Sequence, residues 1–157
     1  MTVSESTLSN PYRRNIVWLG FQILLKFVFA LLFRYRALQI KRLPPTGGGL
    51  ILSNHQSYLD PLLIGLPLQR PVSYIARENL FRVPFIGWIL RKTYVIPINR
   101  DSAGTESVRE GVRRMKVGFL VGIFPEGTRS TDGELGEIKP GFVALARRAK
   151  QPIYPVG

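Results

Sequence analysis

The sequence has no cysteine in its 157 residues. That excludes disulfides, a thiolate nucleophile and thiolate metal sites, and it fits a reducing compartment. Histidine occurs once, at position 55, so a metal site would have to rest on carboxylates, and none is expected. Acidic residues are scarce. Asp and Glu total 10 against 22 Lys and Arg, giving a net charge of +12 and a pI of about 10.7. Such a balance calls for an anionic partner: nucleic acid, a phospholipid surface or a phosphorylated substrate. No Gly-x-Ser-x-Gly elbow occurs, so the serine of a hydrolase triad is missing. The glycines of "PPTGGG" (44–49) are not followed by Gly-Lys-Ser/Thr, which favours a tight turn over a phosphate loop. Apolar residues make up 45%, so the chain is not disordered, and its length suits one domain with a core.

One long apolar run is present. "IVWLGFQILLKFVFALLF" (16–33) is interrupted only by Gln22 and Lys26, which share a face on a helix. At ~1.5 Å per residue it reaches roughly 27 Å, near the hydrocarbon thickness of a bilayer. No small-residue cleavage site follows, which speaks against a signal peptide. A buried soluble helix is a rival, but apolar side chains cover nearly the whole circumference. A membrane helix is therefore expected, spanning or interfacial, with Trp18, Phe21, Phe27, Phe29 and Phe33 as aromatic anchors. Arg13 and Arg14 precede the run, and Arg34, Arg36, Lys41 and Arg42 follow it. The heavier basic flank is C-terminal, which places the rest of the chain on the cytoplasmic side. The same cations suit anionic head groups, at about 1 kcal/mol each.

Beyond the run, short apolar strands alternate with helices. Strands are expected at 50–53, 72–76, 94–98, 119–124 and 152–156. Helices are expected to start at Asp60-Pro61, with Asp60 as N-cap, and to span 105–116 and 141–150. The 78–92 stretch reads as helix and turn, broken near Pro84 and Gly87, and Ser102 or Thr105 caps the helix that follows. This order predicts an α/β fold: a mostly parallel central sheet covered by helices, with the N-terminal membrane-associated helix outside it. Sites in such folds form at the carboxyl ends of strands. His55, Arg100, and Glu126 with Arg129 each follow a strand end closely, so three loops can meet on one rim.

His55 lies in "SNHQSYLDP" (53–61), five residues before Asp60. Were the whole stretch helical, the pair would stand about 140° apart. With His55 in a loop, one Asp60 oxygen can cap the helix while the other accepts Nδ1–H. That fixes the tautomer and leaves Nε2 free to take a proton. Ser57 is too close to serve as a nucleophile and reads as a turn residue, so the substrate would bring the hydroxyl. Taken alone, this spacing is weak, and a satisfied structural histidine is its rival. In "FPEGTRS" (124–130), Pro and Gly bracket Glu126 at a strand end, and Arg129 suits bidentate phosphate binding. The rival reading is an internal Glu126–Arg129 pair. Arg100 and Lys139 are further candidate phosphate contacts, each alone more plainly a solvated surface charge.

The two blocks, about seventy residues apart, resemble the signature blocks of the glycerolipid acyltransferases. They are most similar to those of the 1-acylglycerol-3-phosphate (lysophosphatidic acid) acyltransferases. The resemblance runs from about Gly47 to Val156 and includes "VPFIGW" (83–88), "INR" (98–100) and "IYPV" (153–156). The apolar run and its basic flank set 1–43 apart as membrane anchor, and the resemblance implies 44–157 as catalytic domain. It implies His55 as base, Asp60 as its orienting acid, and Arg100, Glu126, Gly127 and Arg129 as holders of a glycerol phosphate, with Lys139 beside them. The acyl group would come from acyl-CoA or acyl-carrier protein, with no cofactor and no acyl-enzyme, and the acceptor would be a lysophospholipid at a phospholipid membrane. Tyr94 and Pro97 stand where the family often has a glycine and an aromatic, and Asn99 where Asp is frequent, which bears on acceptor choice. Family members usually run on past the last strand, which leaves open that the chain is a fragment. Another lipid acceptor, a catalytically dead fragment, and a non-catalytic basic membrane- or nucleic-acid-binding module are the alternatives. Scattered basic residues, dense only at "RRMK" (113–116), argue against nucleic acid.

Overall fold

The computed structural model describes residues 10–12, 14–98 and 105–157. Five strands form one sheet: β1 (Gly49–Ser53), β2 (Val72–Arg77), β3 (Ile96–Ile98), β4 (Leu120–Ile123) and β5 (Ile153–Val156). Their order is β3-β2-β4-β1-β5, and every pairing is parallel. The α/β architecture expected from the strand–helix alternation is thus present. Pro97 lies on β3, an edge strand, where a missing N–H costs no interior ladder bond.

Alternation along each strand splits the core into two layers. Leu50 and Val121, register partners on β1 and β4, point to one face. There they meet Met115 of α4 (Thr105–Lys116) and Leu145 and Ala149 of α5 (Gly141–Ala149). Ile51 and Leu120 point to the other face, with Val72, Tyr74 and Leu68. On that side lie α2 (Asp60–Gly65) and α1 (Ile16–Phe33), with α3 (Pro84–Lys92) packed against α1.

α1 forms over the whole apolar run, but it is docked rather than free. Asn15 caps it by accepting from Trp18 N–H, and its Nδ2 donates to the Lys92 carbonyl of α3. Gln22 is buried and donates to the carbonyls of Leu66 and Leu68, at 2.8 and 2.7 Å, where α2 ends. Arg14 donates to its Oε1. Gln22 is therefore the residue that fastens the helix, not an interruption in it. Lys26, expected on the same face, is exposed, because the packed stripe is narrow and a 40° step leaves it. Two expected aromatic anchors are corrected likewise. Trp18 and Phe29 are buried against protein, whereas Phe27 and Phe33 stay exposed and Phe21 is half-buried.

Other boundaries shift for local reasons. The chain breaks at Val83, between a 3-10 turn (Glu78–Arg82) and α3, and α3 runs unbroken through Gly87. "RRMK" is not a basic face: Arg114 is buried, pairing with Glu110 at 2.8 Å and donating to Ser73 Oγ. The expected cap at Ser102 lies outside the described residues.

Candidate active site

β1 and β4 are adjacent and parallel, so the loops leaving their carboxyl ends emerge side by side. One carries the His55 block and the other "FPEGTRS". Backbone bonds join the two loops. His55 N–H donates to Glu126 Oε2 at 2.9 Å, and Ser130 N–H donates to the His55 carbonyl at 2.7 Å. The main chain of His55 is thereby held at both ends.

Asp60 is not the N-cap of α2. Leu59 holds that position, and Asp60 is the first helical residue, followed by Pro61. Its side chain turns back into the preceding loop instead. Oδ2 accepts from His55 Nδ1 at 2.8 Å, Gln56 N–H at 2.7 Å and Ser57 N–H at 2.8 Å. A single oxygen thus closes the loop and holds the imidazole. The His55 side chain keeps 19% exposure. Its Nε2 has no partner among the described residues and is not one of the sealed-off polar atoms. With Nδ1–H donated to the carboxylate, the Nε2 lone pair is left without a protein donor among the described residues. Ser57 is a turn residue, its Oγ accepting from Leu59 N–H.

Glu126 is 2% exposed. Oε2 takes the His55 N–H and Oε1 takes the Gly136 N–H at 3.3 Å, so both oxygens point inward. Its carboxylate braces the loop from behind; it does not project from the rim where a substrate phosphate would lie. An internal Glu126–Arg129 pair does not form either. Arg129 lies 3.6 Å over the Tyr58 ring centroid and donates to the Tyr58 hydroxyl at 2.9 Å. That lays the guanidinium over the His55 loop. Gly127 has φ +69°, a left-handed turn conformation that a side chain would strain. Lys139 runs past it, its Nζ 3.5 Å from where a Cβ on Gly127 would stand. Arg100 lies outside the described residues.

The surroundings divide into apolar and polar. A groove of about 780 Å³ runs from Gln56 and Asp60 along Leu63 and Ile64 to Tyr35 and Leu38. Behind the histidine, the Tyr74 hydroxyl is buried with no partner among the described residues. Burial first, then the charge of Asp60 and Tyr35, raises its pKa far beyond the ordinary phenol range, so it stays neutral. On the exposed side, hydrogen bonds from Ser130 Oγ and the Glu134 N–H hold Asp132 below its usual value. Tyr58 and Phe124 contribute to the site without having been singled out from the sequence. Both lie inside the two blocks, but their partners are some seventy residues away, and no local pattern marks such a contact.

An acyltransferase family model matches residues 35–157. The chain belongs to the acyltransferase family. A 1-acyl-sn-glycerol-3-phosphate acyltransferase of Bacillus subtilis is 31% identical over 83% of this chain and 65% of its own length. The human 1-acyl-sn-glycerol-3-phosphate acyltransferase beta is 37% identical over 83% of this chain and 48% of its own. The crystal structure of the 1-acyl-sn-glycerophosphate (LPA) acyltransferase PlsC from Thermotoga maritima superposes with a TM-score of 0.71 at 25% identity. It covers 85% of this chain and 54% of that one. The chain thus spans about half to two thirds of the length of these relatives. In this family member both blocks lie within the matched region and meet on one rim of the sheet.

Proposed function

We propose that this acyltransferase moves a fatty acyl group from an acyl-CoA or acyl-carrier-protein thioester to the free hydroxyl of lysophosphatidic acid, giving phosphatidic acid. The observation that carries this is the 2.8 Å contact from Asp60 to His55 Nδ1, which leaves Nε2 as the ring's free nitrogen among the described residues. Nε2 takes the proton of the acceptor hydroxyl as its oxygen attacks the thioester carbonyl carbon. The C–O bond forms and the tetrahedral oxyanion collapses. The C–S bond breaks, and the leaving thiolate takes the proton back from the imidazolium. The products are an ester and a free thiol, and no group on the enzyme is acylated. Asp60 steadies the ring and offsets the charge that develops on it. General-base help of this kind is worth about 10²–10⁴ in rate.

Arg129 fits the acceptor phosphate because Tyr58 holds its guanidinium over the His55 loop, and a guanidinium can give a phosphate two parallel hydrogen bonds. Lys139 and the Gly127 backbone stand close together on the same loop, and Arg100 is a further candidate. Glu126 serves here as the brace that sets both loops. α1 is long and apolar enough to cross a membrane, with mean hydropathy 2.3 over 18 residues. Its outward side (Ile23, Phe27, Leu31, Phe33) stays largely exposed. A phospholipid membrane therefore supplies the acceptor and covers that side, with the catalytic domain in the cytoplasm. The experiment is thiol release from labelled acyl thioester with lysophosphatidate present and absent. Release dependent on the acceptor supports the reading. Preference for a lyso-lipid without phosphate overturns the roles of Arg129 and Lys139.

A further inference from the structure

Three aromatic rings lie in a column behind the site. The His55 imidazole stacks on Phe124, centroids 4.0 Å apart and planes within 16° of parallel. Phe124 in turn faces Tyr74 at 6.0 Å and 9°. The far end of the column rests on the sheet. Tyr74 of β2 and Gly122 of β4 are register partners. A Cβ on Gly122 would stand 2.4 Å from Tyr74 Cε1 and 2.6 Å from Cδ1, far inside contact distance. The bare Cα of Gly122 is therefore what lets the Tyr74 ring lie where it does.

The column does something that Asp60 cannot. One hydrogen bond at Nδ1 fixes the distance of one ring edge, and it leaves the imidazole free to swing about the Nδ1···Oδ2 direction. A flat apolar ring against the imidazole face stops that swing, and the two constraints together fix where Nε2 points. Phe124 is two residues upstream of Glu126, which holds the His55 N–H, so one short segment fixes both the main chain and the ring. Aromatic pairs favour such contacts when their rings are preset by the core, as Tyr74 is here.

We propose that Phe124 is a positioning residue for His55, and that Tyr74, seated over the bare Cα of Gly122, holds Phe124 in place. This rests on His55 acting as the base, and the test separates the two. His55 is the only histidine, so in the untagged chain its two ring C–H signals are the only imidazole resonances in a proton NMR spectrum. Stacking on Phe124 displaces them upfield of a free imidazole. Phe124→Leu is expected to remove the displacement and to lower kcat by about 10²-fold with little change in KM, the cost of a misplaced reacting group. Gly122→Ala is expected to act in the same direction by pushing Tyr74 into the column. Phe124→Tyr and Tyr74→Phe keep the rings and are expected to keep both the signals and kcat near wild type. Wild-type signals at the free-imidazole position overturn the column, whatever the variants do. Turnover retained in His55→Ala overturns the base assignment and this role together. Turnover lost in His55→Ala but retained in Phe124→Leu overturns the positioning role alone.

Discussion

At the scale of single residues, Asp60 shows how a side chain gains a role by leaving its local one. The Asp-Pro pair marks a helix start, and a helix does start there. The carboxylate, however, turns back to gather three donors on one oxygen, among them His55 Nδ1. The sequence spacing made the His55–Asp60 pairing legible, because five loop residues can fold back and a helix cannot. The inward turn of Glu126 was not legible, since its partners are the main chain of His55 and of Gly136. Neither was the Arg129–Tyr58 stack. Arg129→Ala is expected to raise KM for a phosphate-bearing acceptor by about 10-fold, a charge-assisted bond or two, while KM for the thioester stays put. Acceptor and donor titrations check this, and a larger effect on the thioester would contradict it. Tyr74 offers a stability test. Its hydroxyl is buried with no partner among the described residues. Tyr74→Phe is therefore expected to stabilise the fold by about 1 kcal/mol, read as a shifted denaturation midpoint.

At the scale of elements, the strands and helices were readable because parallel strands buried on both faces are continuous apolar runs. Helix α1 was readable as a helix but not as a docked one. Its polar intruder, Gln22, binds the end of α2 through carbonyls that no sequence period reveals. Gln22→Leu leaves those buried carbonyls unpaired and is expected to cost about 2–4 kcal/mol, measured by urea unfolding. In α4, Glu110 pairs with Arg113 and Arg114. Burial pushes its pKa up, but hydrogen bonds from Arg113 and Arg114 and their charges outweigh it, and the net shift is downward. A carboxylate depressed in the folded state contributes stability above its unfolded pKa, about 4.3, and loses it as pH falls through the folded value. Glu110→Gln is thus expected to weaken the fold at neutral pH and to flatten the loss on acidification below about 4. Equal acid sensitivity in both proteins would contradict the pairing.

For the molecule as a whole, composition bears on the partner surface, as the two blocks bear on the chemistry. The proposed anionic bilayer partner rests on a net charge of +12 and an exposed apolar helix side. The apolar exposure is not confined to α1. Phe85, Ile86 and Trp88 of the adjoining α3 are also exposed, with Arg82, Arg91 and Lys92 nearby. Flotation with vesicles is expected to show stronger binding to anionic than to zwitterionic lipid, weakened by salt for the electrostatic share. Binding indifferent to lipid charge would contradict this.

The proposed base, one imidazole held by Asp60 at 2.8 Å, removes the proton from the acceptor hydroxyl. Its most direct test is lysophosphatidate-dependent thiol release by wild type and His55→Ala at equal vesicle-bound amounts. The variant is expected to lose at least about 10²-fold in kcat with unchanged membrane binding. Turnover within a few-fold of wild type would contradict it.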